Sequence, residues 1–229
     1  MQTLVRPQPS LVNALGNQPL RLLALGDSLI YGYGDPEAGG WVEQLRRRWM
    51  VPGSAGHILY NLGIRGNGVA QVTQRLDAEF QHRGELRNHV PDGLILSVGV
   101  NDSARLARPN GRNVMEFEQF QVAIAHLLDR AQSLCPVWFI GMVPVNESRM
   151  PFLDCFHYTH GDQYRYKEAT RLACQARQIP YLDLFEIWQA RGQSWCQNHL
   201  TSDGLHPNPC GYRSILHEVL SWPPLARLD

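Results

Sequence analysis

The 229-residue sequence has no surplus charge of either sign: 21 Lys and Arg balance 21 Asp and Glu. A balanced chain has no general electrostatic attraction to nucleic acid or to an anionic membrane surface. Its densest basic cluster, Arg46-Arg47-Arg48, would be spread around the surface of a helix. No apolar run approaches the roughly 18 to 20 residues of a membrane span. The first stretch, "MQTLVRPQPSLVNALGNQPL", lacks a continuous apolar core because Pro7, Pro9 and Asn13 interrupt it. Residues 1–19 therefore read as a flexible lead-in rather than a signal peptide. Cysteine is sparse and scattered: Cys135, Cys155, Cys174, Cys196 and Cys210 stand singly, with no C-x-x-C pair. An odd, dispersed set argues against a disulfide framework and for a reducing compartment, so a cytoplasmic location is expected. Also missing are the G-x-S-x-G elbow and the G-x-x-x-x-G-K-[ST] phosphate loop, and "GNGVAQ" does not complete G-x-G-x-x-G. There is no internal repeat, low-complexity tract or linker to divide the chain.

What is present is an alternation of short apolar runs with helical patterns. The runs "LRLLAL" (20–25), "HILYNL" (57–62), "GLILSVG" (93–99), "PVWFIGMVPV" (136–145) and "PYLDLF" (180–185) are apolar on both faces. Strands of that kind belong to a sheet covered on both sides. Between them, Phe117, Phe120, Ile124, Leu127, Leu128, Ala131 and Leu134 recur at helical spacing, as do Val69, Val72, Leu76 and Phe80. "GGWVEQLRRRW", "QYRYKEATRLACQARQ" and a segment from Cys210 to Leu220 are further predicted helices. Strands alternating with helices call for parallel pairing, so residues 20–229 are expected to form one doubly wound, three-layer α/β/α domain. Chemistry in such sheets sits beyond the carboxyl ends of the strands.

The loops at those ends carry a coherent set of groups. Gly26-Asp27-Ser28-Leu29 follows the first strand, "NLGIRGNG" with Gly63 and Gly66 the second, and Gly99 to Asp102 ("GVND") the third. Near the C-terminus comes "TSDGLHPNPCGY", with Asp203 and His206. A serine hydroxyl becomes a nucleophile only beside a base, typically a histidine oriented by a carboxylate. Charge developing on a carbonyl oxygen needs preorganised donors, which a glycine turn and a side-chain amide can supply. The three-residue spacing of Asp203 and His206 lets one turn carry both acid and base, and Pro207 biases His206 away from helical geometry. Taken singly, Asp27-Ser28 is a helix cap, Gly63 to Gly66 a turn, and Asn101-Asp102 another cap. Their conjunction, in order and at strand ends, points to acyl transfer to water.

The blocks "ALGDSL" (24–29), "NLGIRG" (61–66), "VGVND" (98–102) and "DGLHP" (203–207) resemble those of the SGNH, or GDSL, hydrolases, in family order over about residues 20 to 220. The resemblance implies a flavodoxin-like fold with a parallel five-stranded sheet. It also implies Ser28 as nucleophile, His206 as general base and acid, and Asp203 as the residue orienting His206. The backbone N–H groups of Ser28 and Gly66 and the side chain of Asn101 would form the oxyanion hole. Asp27, though adjacent to the serine, is expected to brace its loop instead. Members of that family hydrolyse esters and thioesters without a metal or organic cofactor, so the implied partner is a small-molecule ester or thioester. An acyltransferase on the same residues and a ligand-binding domain without turnover are the alternatives.

Two features depart from a minimal member: the N-terminal lead-in and the long aromatic stretch "NESRMPFLDCFHYTHGD" (146–162). The latter reads equally as a lid or wall of the acyl pocket and as a packed surface excursion. Its Cys155, His157, His160 and Asp162 match no metal-site spacing, and no metal is expected. His199 is a rival base close in sequence to His206. Substrate and oligomeric state are not legible.

Overall fold

The structure is a computed structural model that describes residues 18–83 and 90–228. The expected lead-in, residues 1–19, lies outside the described residues but for its last two. Strands β1 (Arg21–Gly26), β2 (Ile58–Gly63), β3 (Gly93–Ser97), β4 (Val137–Ile140) and β5 (Tyr181–Leu182) form one sheet in the order β2-β1-β3-β4-β5. Every pairing in it is parallel. This is the five-stranded α/β arrangement expected from the sequence, and its order reverses between β1 and β3. Such a switch point opens a crevice beyond the strand ends.

The helices are α1 (Ser28–Tyr31), α2 (Gly40–Trp49), α3 (Val69–His82), α4 (Val100–Ser103) and α5 (Phe117–Leu134). They continue with α6 (His160–Ala176), α7 (Leu184–Gln189), α8 (Gln193–Asn198), α9 (Pro209–Ser221) and α10 (Pro223–Ala226). Alternate side chains of β1 serve opposite faces, as the pleat requires. Leu22 and Ala24 pack with Trp41, Leu45, Trp188 and Tyr212, from α2, α7 and α9. Leu23 and Leu25 pack with Val72, Leu76, Phe120 and Leu127, from α3 and α5. The buried stripe of α5, Phe120, Ile124, Leu127, Leu128 and Ala131, follows the helical period read from the sequence. His57 fastens the margin of the first layer. Its Nδ1 accepts from Leu20 N–H at 2.9 Å, and its Nε2 lies 2.6 Å from the Leu228 carbonyl.

Three predicted strands are shorter than their apolar runs, the third ending at Ser97 rather than Gly99. The fourth pairs only over Val137–Ile140, and the Gly141 N–H makes a last bond, 2.9 Å, to the Leu182 carbonyl. Beyond it β3 and β5 have both ended, so the apolar Met142 to Val145 run on as loop, buried by packing rather than by a ladder. In "PYLDLF" only Tyr181 and Leu182 pair, because the Asp183 carboxylate accepts from Glu186 N–H and starts α7 at Leu184. Apolar residues in a short run fit strand and helix alike, and the cap decides. Among the described residues no helix is long and apolar enough to cross a membrane.

Candidate active site

Gly26 at the end of β1 lies level with Gly63 of β2 and Ser97 of β3. The three following loops therefore leave the sheet together. The approach is close enough to demand glycine: a Cβ on Gly26 would stand 1.9 Å from the Ser97 carbonyl oxygen. Asp27 caps α1 by accepting from Leu29 N–H at 2.9 Å, which makes Ser28 the first residue of that short helix. Asp27 is thus turned to the backbone and not to His206. Its burial pushes its carboxyl up to about 7, against the pull of the Leu29 N–H and with a further push from the charge of Asp102.

Ser28 Oγ lies 3.0 Å from His206 Nε2, and His206 Nδ1 lies 2.7 Å from Asp203 Oδ2. The other carboxylate oxygen, Oδ1, accepts from Thr201 Oγ1 at 2.6 Å, Leu205 N at 2.8 Å and His206 N at 3.0 Å. Burial alone would raise the Asp203 carboxyl, but the His206 ring and these donors hold it well below the usual carboxylate range. An ionised Asp203 fixes the His206 proton on Nδ1 and leaves Nε2 to accept from the serine hydroxyl. Gly204, at φ 71, makes the turn that returns the chain from Asp203 to His206. Two rings steer the imidazole: Tyr33 at 4.5 Å and Phe152 at 5.6 Å between centroids, both edge-on. Tyr33 also walls a groove of about 630 Å³ shared with Tyr31, Pro36, Thr201, Ser202 and Asp203.

The Asn101 amide is held from both ends. Nδ2 donates to the Asn67 carbonyl at 2.9 Å, and Oδ1 accepts from the Tyr158 hydroxyl at 3.2 Å. One N–H of Asn101 thus ties α4 to the loop that carries Gly66, and the other remains for a ligand. Gly66 has φ 78, with open space where a side chain would be. Among the described residues no hydrogen bond engages the backbone N–H of Ser28 or of Gly66. Beside Asn101, Asp102 accepts twice from Val69 N–H, at 3.1 and 3.2 Å, and secures the start of α3. Burial pushes its carboxyl up to about 6 despite that donor.

Other candidates from the sequence lie elsewhere. His199 stacks on Trp195 at 3.6 Å and its Nδ1 faces the Trp195 carbonyl, so it packs under α8. Asp162 is taken by Arg105 and Thr159, and His160 Nε2 by the Val145 carbonyl. Cys155, His157, His160 and Asp162 therefore do not converge on one point. The 146–162 stretch is at once a packed excursion and a wall of the site. Phe156–His157 pairs antiparallel with Arg105–Leu106, and Tyr158 packs with Ala104, Val145 and Leu205. From it, Phe152 and Tyr158 reach His206 and Asn101. The sequence marked that stretch as aromatic without singling out either residue, and gave Asp102 only as a cap. Tyr33 and Thr201 were missed: Thr201 stands beside a marked residue, and the Tyr33 contact has no local signal.

The sequence matches the GDSL-like Lipase/Acylhydrolase family over residues 24–214. Comparison with curated protein sequences finds no match. Among solved structures the chain is similar to the lipase/acylhydrolase from Enterococcus faecalis, with 20% identity and a TM-score of 0.71. That match covers 92% of this chain and 97% of the other. It is also similar to TesA, at 22% identity and TM-score 0.66, covering 91% and 99% of the two chains. A third is a catalytic mutant of Axe2, an acetylxylan esterase from Geobacillus stearothermophilus: 14% identity, TM-score 0.68, with 89% and 94% covered. At such identities the likeness establishes the fold. With the family match spanning most of its length, the chain belongs to the GDSL-like lipase/acylhydrolase family, a family of serine esterases.

Proposed function

We propose that this protein hydrolyses carboxylic esters or thioesters through an acyl-enzyme on Ser28. The observation that carries the reading is the continuous relay Ser28 Oγ–His206 Nε2–Asp203, at 3.0 and 2.7 Å. Ser28 Oγ attacks the carbonyl carbon while His206 Nε2 takes the hydroxyl proton, and the ionised Asp203 stabilises the imidazolium. The tetrahedral oxyanion is received by the N–H groups of Ser28 and Gly66 and by Asn101 Nδ2. His206 then protonates the departing alcohol or thiol. Water, deprotonated by His206, attacks the acyl carbonyl, and collapse of the second tetrahedral intermediate returns the serine and frees the acid. None of these steps calls on a metal or organic cofactor.

The test is a fluorophosphonate probe followed by mass mapping of the adduct, with Ser28→Ala and His206→Ala as controls. We expect a single adduct on Ser28, absent from Ser28→Ala and strongly slowed in His206→Ala. Undiminished ester hydrolysis by Ser28→Ala would overturn the reading. Likeness to a lipase/acylhydrolase and to an acetylxylan esterase sets the substrate panel: p-nitrophenyl esters of increasing chain length beside acetylated xylan.

A further inference from the structure

Arg65 stands one residue before Gly66 on the loop after β2, with its side chain exposed. Its guanidinium carbon lies 3.6 Å from the centroid of the Tyr33 ring. The same ring meets the His206 imidazole edge-on at 4.5 Å. One aromatic ring thus separates the guanidinium from the base that returns a proton to the leaving group. The backbone that carries the ring is held: the Tyr33 carbonyl accepts from the Tyr212 hydroxyl at 2.9 Å, and Gly34 is pressed against the Pro207 carbonyl.

Among the described residues no carboxylate pairs with Arg65. The acids around the cleft are committed to other donors. Asp203 is saturated by His206, Thr201 and two backbone N–H groups, and Asp27 caps α1. Asp35 accepts from Ala38 N, Gly40 N and Gln44 Nε2. Arg75 of α3, which reaches this loop, donates to the Gly26 carbonyl and to Asn67 Oδ1. A guanidinium resting on an aromatic face keeps its in-plane N–H donors available, and these match a planar or tetrahedral oxyanion.

We propose that Arg65 selects substrates whose leaving group carries an anionic oxygen group: a carboxylate, sulfonate or phosphate beyond the scissile bond. The inference rests on the Ser28–His206 reading above and names the substrate class of that site. A phosphorylated glycerolipid and a coenzyme A thioester are two sources of the same chemistry.

The test compares p-acetoxybenzenesulfonate with the neutral p-(methylsulfonyl)phenyl acetate, in the wild type and in Arg65→Met and Arg65→Lys. The two esters share an acyl group and are close in size. We expect the wild type to prefer the sulfonate in kcat/KM. Arg65→Met should cut that preference about two- to fivefold, the range for one charge-assisted contact at an exposed site. Arg65→Lys should restore part of it, and added salt should weaken it in the wild type but not in Arg65→Met. A mere prop under Tyr33 would change both esters together and hold their ratio, which would overturn the proposal. So would a preference for the anion on the acyl side, read with p-nitrophenyl hemisuccinate against p-nitrophenyl butyrate. Acyl-coenzyme A against an acyl-N-acetylcysteamine, and acylglycerol phosphate against monoacylglycerol, tell the two sources apart. Calorimetric titration with p-hydroxybenzenesulfonate reads the contact without turnover. Weaker binding to Arg65→Met in a protein that hydrolyses neither ester upholds Arg65 and rejects the esterase reading. Equal binding rejects Arg65.

Discussion

Asn101 shows how a single side chain is committed before any substrate arrives. One N–H is spent on the Asn67 carbonyl and its oxygen on the Tyr158 hydroxyl, so the remaining N–H has a fixed direction. A donor that gains its full worth only against an oxyanion acts on the chemical step. We expect Asn101→Ala to lower kcat by about 10²- to 10³-fold with little change in KM. Steady-state kinetics check this, and a raised KM with kcat intact would make Asn101 a ground-state binder. Tyr158→Phe removes only the orienting hydroxyl and should cost kcat less than the loss of the amide itself. Asp203 poses the complementary case. Held ionised far into acid by its donors, it keeps His206 in the tautomer that can accept from Ser28. Asp203→Asn should therefore depress kcat by about 10⁴-fold and slow fluorophosphonate labelling of Ser28 alongside it.

At the scale of elements, the site depends on how closely β1 approaches its neighbours. The Gly26 contact with the Ser97 carbonyl leaves no room for a methyl group, and a Cβ at Gly63 would stand 2.1 Å from the Tyr31 nitrogen. Gly26→Ala must push β1 from β3 and tilt α1 with its serine. We expect a loss of about 1–3 kcal/mol in urea unfolding, together with reduced activity. His57 offers a contrast far from the chemistry. His57→Ala leaves the Leu20 N–H and the Leu228 carbonyl unpaired in a buried margin and should cost about 1–3 kcal/mol while preserving ester hydrolysis. The strand runs and long helices behind these contacts were readable from apolar period alone. The shortened β5 was not, because Asp183 ends it with a cap that looks like any other acid in an apolar run.

For the molecule as a whole, two buried carboxyls set an unusual pH dependence. Asp27 and Asp102 rise from 3.8 to about 7 and about 6 in the folded chain. Between the unfolded value and those folded values, the folded state binds protons that the unfolded state has lost. By linkage these two groups make stability fall as pH rises from about 4 to about 7, and add no further slope above that. Below pH 4 the slope reverses in sign, because carboxyls held low in the fold, Glu168 and Asp162 among them, lose their partners on protonation. Asp27→Asn should remove one of the two falling contributions. The stability difference between wild type and this variant should then shift in favour of the wild type as pH drops from 7 to 4. Urea unfolding followed by tryptophan fluorescence at several pH values checks it, and a constant difference would reject the assignment.

The sequence by itself determined the layer architecture and the four blocks at the strand ends, because burial on both faces and turn chemistry leave periodic, local traces. With the family resemblance it also separated the two acids expected near Ser28: the backbone-facing Asp27, and the distant Asp203 that the fold returns to within hydrogen-bond reach of His206. Only the tertiary structure decided which groups hold those residues in place. Phe152, Tyr158 and Tyr33 come from segments with no period and no motif, and their contacts with His206 and Asn101 exist only after parallel strands have brought remote loops to one edge. The position of Arg65 on the Tyr33 ring is of the same kind. It depends on two loops, after β1 and after β2, that are neighbours in space because Gly26 and Gly63 lie side by side.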